Sequence, residues 1–82
     1  MTTWTEIDEE NFDYMLGMVP PAAMTGLGFL VGEPFDHDRN GRPRFSAYAK
    51  TGDRFFAADH VITVAEFKML TPADIASAVT TV

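Results

Sequence analysis

Cysteine is absent from this 82-residue chain, which excludes a disulfide framework, a thiolate nucleophile and a cysteine-built zinc site. Such a composition fits a reducing compartment. Bases are scarce: six Lys and Arg stand against twelve Asp and Glu, for a formal charge of −6 at pH 7. A domain of that sign repels a polyanion, so direct nucleic-acid binding is disfavoured from the outset. Long apolar runs are missing too. The longest uncharged stretch, Tyr14 to Gly32, approaches the length of a membrane span, but Pro20-Pro21 and the glycines Gly17, Gly26, Gly28 and Gly32 break it. The start, Met1-Thr2-Thr3-Trp4-Thr5-Glu6, has neither the basic residues nor the apolar core of a signal peptide, and a cytoplasmic location is expected. Internal repeats, linkers and low-complexity segments are also lacking.

What is present suits one folded domain over residues 1–82. Apolar residues make up 46% of the chain and charged residues 22%, enough of the first to build a core and too little of the second for disorder. Helix starts are the clearest local signal. Asp8 is a suitable N-cap, with Ile7 before it and Phe12 after it as staple partners. Thr63 with Glu66 forms a capping box between Ile62 and Phe67. Thr71 is followed by Pro72 at the first helical position and Asp74 at the third. These signals predict helices over about 9–18, 64–70 and 72–80, the first ended by Pro20-Pro21. In the last of them Ile75, Ala78, Val79 and Val82 recur at core spacing.

The middle of the chain reads as strands. Leu27 to Phe35 is apolar with glycines, Pro43 to Lys50 alternates, and Arg54 to Ala58 carries paired phenylalanines. Alternation puts Phe45, Ala47 and Ala49 on one face and Ser46, Tyr48 and Lys50 on the other. Asn40-Gly41 and Thr51-Gly52 mark the turns between them. A competing reading carries the third strand on through Val61-Ile62-Thr63-Val64, but two cap signals coincide there and favour a helix. The expected fold is therefore α+β: an N-terminal helix, a three-stranded antiparallel meander, and one or two short C-terminal helices, all packed on one face of the sheet.

Charge is sorted along the chain. Residues 1–38 hold eight acids and no base, residues 39–54 hold Arg39, Arg42, Arg44, Lys50 and Arg54 against Asp53 alone, and residues 55–82 hold three acids against Lys68. At 100° per residue the first helix gathers Phe12, Met15, Leu16 and Val19 on one side, widened by Tyr14 and Met18. Glu9, Glu10 and Asp13 fall on the remaining arc as an acidic stripe that Glu6 joins just before the helix. Asymmetry of this kind points to a partner. The plain alternative is that the acidic and basic blocks lie side by side in the fold and cancel.

Motifs for chemistry are thin. Asp36-His37-Asp38-Arg39-Asn40-Gly41 copies the first half of a calcium-binding EF-hand loop, with Asp, Asp and Asn at positions one, three and five and Gly at six. Position twelve, where the bidentate glutamate belongs, is Ala47, and Arg39, Arg42 and Arg44 crowd the loop, so a hairpin turn is the better account. His37 and His60 have no partner at ligand spacing, and neither Ser46 nor Ser77 has a base at a recognisable distance. Gly26 and Gly28 do not make a phosphate loop. Arg39, Arg42, Arg44, Tyr48, Lys50, Arg54, Phe55 and Phe56 interleave bases with aromatics as single-strand binders do, against the overall charge. Trp4 and the five methionines read as core or staple residues. No catalytic residue, cofactor or metal site is expected, and the chain reads as no enzyme.

Glu9-Glu10-Asn11-Phe12-Asp13-Tyr14-Met15-Leu16, with Val19-Pro20-Pro21 and Met24 after it, resembles an uncharacterised family of short proteins from plasmids and prophages of α-proteobacteria. The stretch from Arg44-Phe45 through Arg54-Phe55-Phe56 to Asp59 is similar to the strand pair that follows in such proteins. The resemblance carries no catalytic residue. It implies a mobile-element setting in a bacterial cell, and in size, charge and setting the chain is similar to anti-CRISPR proteins. The function it implies is a non-catalytic, acidic inhibitor that binds a basic nucleic-acid-binding surface of a bacterial defence complex and blocks target DNA binding. The candidate partner-binding residues are Glu6, Glu9, Glu10 and Asp13, extended by Glu33, Asp36 and Asp38. The alternatives are an accessory protein that binds nucleic acid or protein through the basic strand pair, and a homodimer whose opposite charge blocks meet between protomers.

Overall fold

The structure, a computed structural model, describes residues 2–18, 20–31 and 36–79. The class is α+β, with more strands than the sequence predicts. Strand β1 (Trp4–Ile7) leads into helix α1 (Glu9–Met18), followed by β2 (Ala23–Met24) and β3 (Gly28–Leu30). A hairpin of β4 (Asp36–His37) and β5 (Pro43–Phe45) comes next, then β6 (Ala47–Thr51), β7 (Arg54–Ala58) and β8 (Ile62–Thr63). Helices α2 (Val64–Lys68) and α3 (Pro72–Ser77) complete the described fold. All strand pairs are antiparallel, in a five-stranded sheet of order β1-β7-β6-β3-β2 and a three-stranded sheet of order β4-β5-β8.

The expected three-stranded meander is thus corrected rather than replaced: its strands survive as the centre β3-β6-β7, and three departures surround them. β1 adds to one edge, pairing Trp4 with Ala58 and Ile7 with Phe55. The predicted strand over Pro43–Lys50 divides at Ser46, because β5 turns away to pair with β8 while β6 stays in the larger sheet. The predicted first strand, Leu27 to Phe35, is shortened to Gly28–Leu30, with Val31 already outside it; residues 32–35 of that prediction lie outside the described residues. Alternation itself holds across the division, since Phe45, Ala47 and Ala49 are all buried. Gly28 is required where β3 meets β6: a Cβ there would lie 1.9 Å from the Tyr48 carbonyl oxygen. The β6–β7 hairpin closes through Gly52-Asp53, one residue later than expected, with Thr51 paired to Arg54 and Gly52 at φ +63°.

Packing on one face is corrected as well. Adjacent strand residues point to opposite sides of a sheet, so Phe55 and Phe56 cannot share a core. Phe56 joins Trp4, Leu30, Ala47 and Ala49 beneath Phe67 of α2, Ile75 of α3, and Phe45 and Ile62 of the smaller sheet, forming the main core. Phe55 faces the other way, toward α1, where Phe12 meets it at 5.1 Å between ring centroids and meets Phe29 edge-on at 5.2 Å. Phe29 in turn stacks on Tyr48 at 5.3 Å. Helix α1 therefore covers the opposite face from α2 and α3, and the five-stranded sheet lies between them. Trp4, only 1% exposed, is a core residue, and its backbone N–H donates to the Ala78 carbonyl at 2.9 Å.

The C-terminal helix starts form as read. The Glu66 N–H donates to Thr63 Oγ1 at 3.2 Å and the Thr63 N–H donates to Glu66 Oε1 at 3.3 Å. Thr71 and Asp74 repeat the exchange at 3.2 and 2.9 Å. Thr63 is at once the last residue of β8 and the cap of α2, which reconciles the strand and helix readings of Val61 to Val64. Ile75 is buried and Ala78 and Val79 pack on the core, while Val82 lies outside the described residues. Among the described residues no helix is long and apolar enough to cross a membrane.

Candidate functional site

Helix α1 spends little of its apolar arc on the fold. Phe12 is its buried residue and Met15 is half-buried, whereas Leu16 is 37% exposed and Tyr14 and Met18 are 60% exposed. The expected core arc is corrected on this point: Phe12 alone among the helix's described residues is buried, its ring set against Phe29 and Phe55. Val19, the fourth member of that arc, lies outside the described residues. Glu9, Glu10 and Asp13 are all exposed on α1, and none of them makes an ion pair among the described residues.

The other candidate acids are differently placed. Glu6 lies on β1, where its carboxylate takes two hydrogen bonds from Arg54, from Nε and Nη2, each at 3.1 Å. That bidentate contact holds the Glu6 carboxyl below its ordinary range and pushes Arg54 upward. Arg54 also sits over the Phe56 ring, 5.2 Å from its centroid. Asp36 faces Arg44 directly across the β4–β5 pair and is hydrogen-bonded to it. Its own neighbour's amide, the His37 N–H at 2.7 Å, and then Arg44 lower its pKa. Asp38 Oδ1 accepts the Arg42 N–H at 2.8 Å and the Asn40 N–H at 2.9 Å, while Arg42 Nε lies 3.5 Å from Oδ2. The Arg42 amide is the main cause of the lowered Asp38 pKa. Glu33 lies outside the described residues.

The structure thus divides the six described candidates. Glu9, Glu10 and Asp13 share α1, Glu6 stands on the edge strand next to it, and Asp36 and Asp38 belong to a hairpin of the other sheet. The Glu6–Arg54 and Asp36–Arg44 pairings depend on strand register, whereas Asp38 and Arg42 meet within the turn between β4 and β5. Arg54 reaches Glu6 diagonally, two residues along β7 from its direct partner Phe56.

The half EF-hand loop is a hairpin. Its carboxylates are occupied by the loop's own amides and arginines, the Gly41 N–H donates to the Asp38 carbonyl at 3.0 Å, and Gly41 takes the positive φ of +78°. Among the described residues no three His, Asp or Glu side chains gather as a metal site. His60 Nε2 stands 3.8 Å from Asp59 Oδ2, but that carboxylate is spent on Thr3, accepting its N–H at 2.9 Å and its hydroxyl, which keeps the Asp59 pKa low. The arrangement staples β1 to the end of β7 and aims no nucleophile at a cavity. Ser77 Oγ donates to the Asp74 carbonyl within α3.

Two concavities are formed by described residues. One, of about 330 Å³, lies between the amino-terminal strand and the last helices; the carboxylates on its wall, Glu66 and Asp74, are both engaged in capping boxes. The other, of about 170 Å³, runs between α1 and the β2–β3 edge and is lined by Phe12, Leu16, Met24, Phe29 and Lys50, with Gly26 and Gly28. It is apolar and flanks the acidic helix. No family model, curated protein or solved structure matches this chain.

Proposed function

We propose that this chain is a non-catalytic binding protein that presents the acidic face of α1 to a basic, nucleic-acid-binding surface of a partner complex. In the manner of an anti-CRISPR inhibitor, it would block target DNA binding by a bacterial defence complex. The observation that carries this reading is the division among the acids. Glu6, Asp36 and Asp38 are neutralised by Arg54, Arg44 and Arg42, whereas Glu9, Glu10 and Asp13 stand exposed without an ion pair among the described residues. From Glu9 to Asp13 the helix rises about 6 Å at ~1.5 Å per residue. Duplex DNA carries one charge per ~1.7 Å of axis, so three carboxylates in that length match its charge density over a short patch. Exposed Tyr14, Leu16 and Met18 on the same helix supply apolar contact beside the charge.

The same ion pairs weigh against the alternatives. A nucleic-acid surface on the basic strands would lose three of its five cations, Arg42, Arg44 and Arg54, to acids of the same chain. A charge-paired homodimer would have to hold Glu9, Glu10 and Asp13 with Arg39 and Lys50, because Arg42, Arg44 and Arg54 are engaged within the protomer. The test is capture from a bacterial lysate with tagged wild-type protein and a Glu9→Lys, Glu10→Lys, Asp13→Lys variant, the bound proteins being identified by mass. A tenfold or greater loss of a DNA-binding complex in the variant, with unchanged circular dichroism, supports the reading. Undiminished capture at physiological salt removes its mechanism.

A further inference from the structure

We propose that the groove between α1 and the β2–β3 edge is an anchor pocket for a partner segment carrying one large apolar side chain flanked by lysine or arginine. This rests on the reading of α1 as the binding face and names the chemistry of what it meets. At about 170 Å³ the groove falls below the ~300 Å³ at which small-molecule pockets begin, so it suits a single side chain better than a cofactor. Its floor is preformed: Phe12 and Phe29 are both buried and locked edge-on at 71°. Gly26, where a Cβ would meet nothing within 4 Å, leaves the groove wall open, and Leu16 and Met24, 37% and 60% exposed, line it as well. Buried anchors in such pockets carry most of the energy of an interface, and the unbranched Met24 lets the wall adjust to the shape that enters.

The flanking charge decides the occupant. Around the α1 axis, Leu16 lies about 40° from Phe12, Glu9 about 60° and Asp13 about 100° in the same sense. The two carboxylates therefore adjoin the groove side of the helix, and neither makes an ion pair among the described residues. A segment that inserts its apolar side chain beside Leu16 lays the neighbouring residues across Glu9 and Asp13. Lysine or arginine there is attracted, whereas an acidic segment meets two carboxylates for the single ammonium of Lys50. A second copy of this chain is a poor occupant: each copy carries −6, and three of its six cations, Arg42, Arg44 and Arg54, are already held by its own acids.

The test uses three capped probe peptides, Arg-Lys-Phe-Lys-Arg, Arg-Lys-Ala-Lys-Arg and Glu-Asp-Phe-Asp-Glu, titrated into isotope-labelled protein and followed by amide shifts. The first is expected to bind at least tenfold more tightly than either control, with saturable shifts at Leu16, Gly26, Gly28 and Lys50. Gly26 lines the groove and a Cβ there meets nothing within 4 Å, so Gly26→Leu adds bulk at the groove wall without a clash and should reduce binding tenfold or more. The proposal is overturned if the acidic peptide binds as well as the basic one, if no saturable shift occurs, or if Gly26→Leu binds undiminished. Shifts at the same amides on simple dilution of the protein would assign the groove to a second copy and overturn it equally. In the lysate experiment, a Gly26→Leu protein that captures the partner normally while the lysine variant does not removes the groove and leaves the acidic face standing.

Discussion

Gly28→Ala and Gly26→Ala make the same chemical change two residues apart, and the structure gives them opposite signs. A methyl at Gly28 would lie 1.9 Å from the Tyr48 carbonyl oxygen, 2.7 Å from the Ala49 Cα and 2.8 Å from the Tyr48 carbonyl carbon. All three are backbone atoms of β6, so no rotamer change relieves them. Strands β3 and β6 have to move apart by about 1 Å, which overpacks the core at a cost of about 3 kcal/mol, the upper end of such strain. The shift also loosens the bond from the Lys50 N–H to the Leu27 carbonyl, now 2.8 Å. At Gly26 a Cβ meets nothing within 4 Å and φ is ordinary, so alanine stabilises by about 0.5 kcal/mol through the unfolded chain. For a domain of this size 1 kcal/mol corresponds to ~4–8 °C in Tm. Thermal and urea unfolding should therefore place Gly28→Ala at least ~12 °C below wild type and Gly26→Ala at or slightly above it. Equal midpoints for the two variants would refute the placement of β3 against β6, and with it the groove beside them.

Three further outcomes follow from the same contacts. Phe67→Ala empties a ring that is 1% exposed in the main core and should cost ~3–5 kcal/mol, whereas Thr63→Ala removes one cap and should cost ~1 kcal/mol, both read from urea midpoints; equal costs would contradict the packing of α2. Glu6, Asp36, Asp38 and Asp59 all have folded pKa values below their ordinary ones, so protons bind the unfolded chain more readily. Their stabilisation is complete above the unfolded values near pH ~4 and is lost as pH falls through the folded ones. A Tm–pH profile should drop in that acid window, and less so in a Glu6→Gln, Asp36→Asn, Asp59→Asn variant; parallel profiles would contradict the assignment. Millimolar calcium should leave Tm unchanged, because amides and arginines already occupy the hairpin carboxylates; a rise abolished by Asp36→Ala would show a cation site.

The features legible in the sequence are those that a few neighbouring residues decide. Both C-terminal capping boxes, the alternation of Phe45, Ala47 and Ala49, and the strand Arg54–Ala58 are local, and they form where the residues place them. What stayed hidden depends on residues far apart in the chain. Trp4–Ile7 is too short to announce itself as a strand, and its partner β7 lies some fifty residues on. The division of the 43–50 strand at Ser46 follows from β8 competing for β5, a choice made only in the assembled fold. Phe55-Phe56 did hold a readable signal, since adjacent rings in a strand demand burial on both faces. At the candidate site the acidic stripe of α1 was legible from helical periodicity, and cancellation between the acidic and basic blocks stood as the plain alternative. Which acids it takes was not legible, because strand register delivers Arg54 to Glu6 and Arg44 to Asp36, and the turn brings Arg42 to Asp38.

The claim that the acidic face of α1 occupies a nucleic-acid groove is tested most directly by competition. Labelled target DNA is bound to the purified partner complex and titrated with wild-type protein or with the Glu9→Lys, Glu10→Lys, Asp13→Lys variant, at low and at physiological salt. The account predicts that wild type displaces the DNA, with an apparent affinity that weakens steeply as salt rises, and that the variant fails to displace it. A ternary complex in which DNA and wild-type protein are bound together, or displacement by the variant as efficient as by wild type, would contradict it.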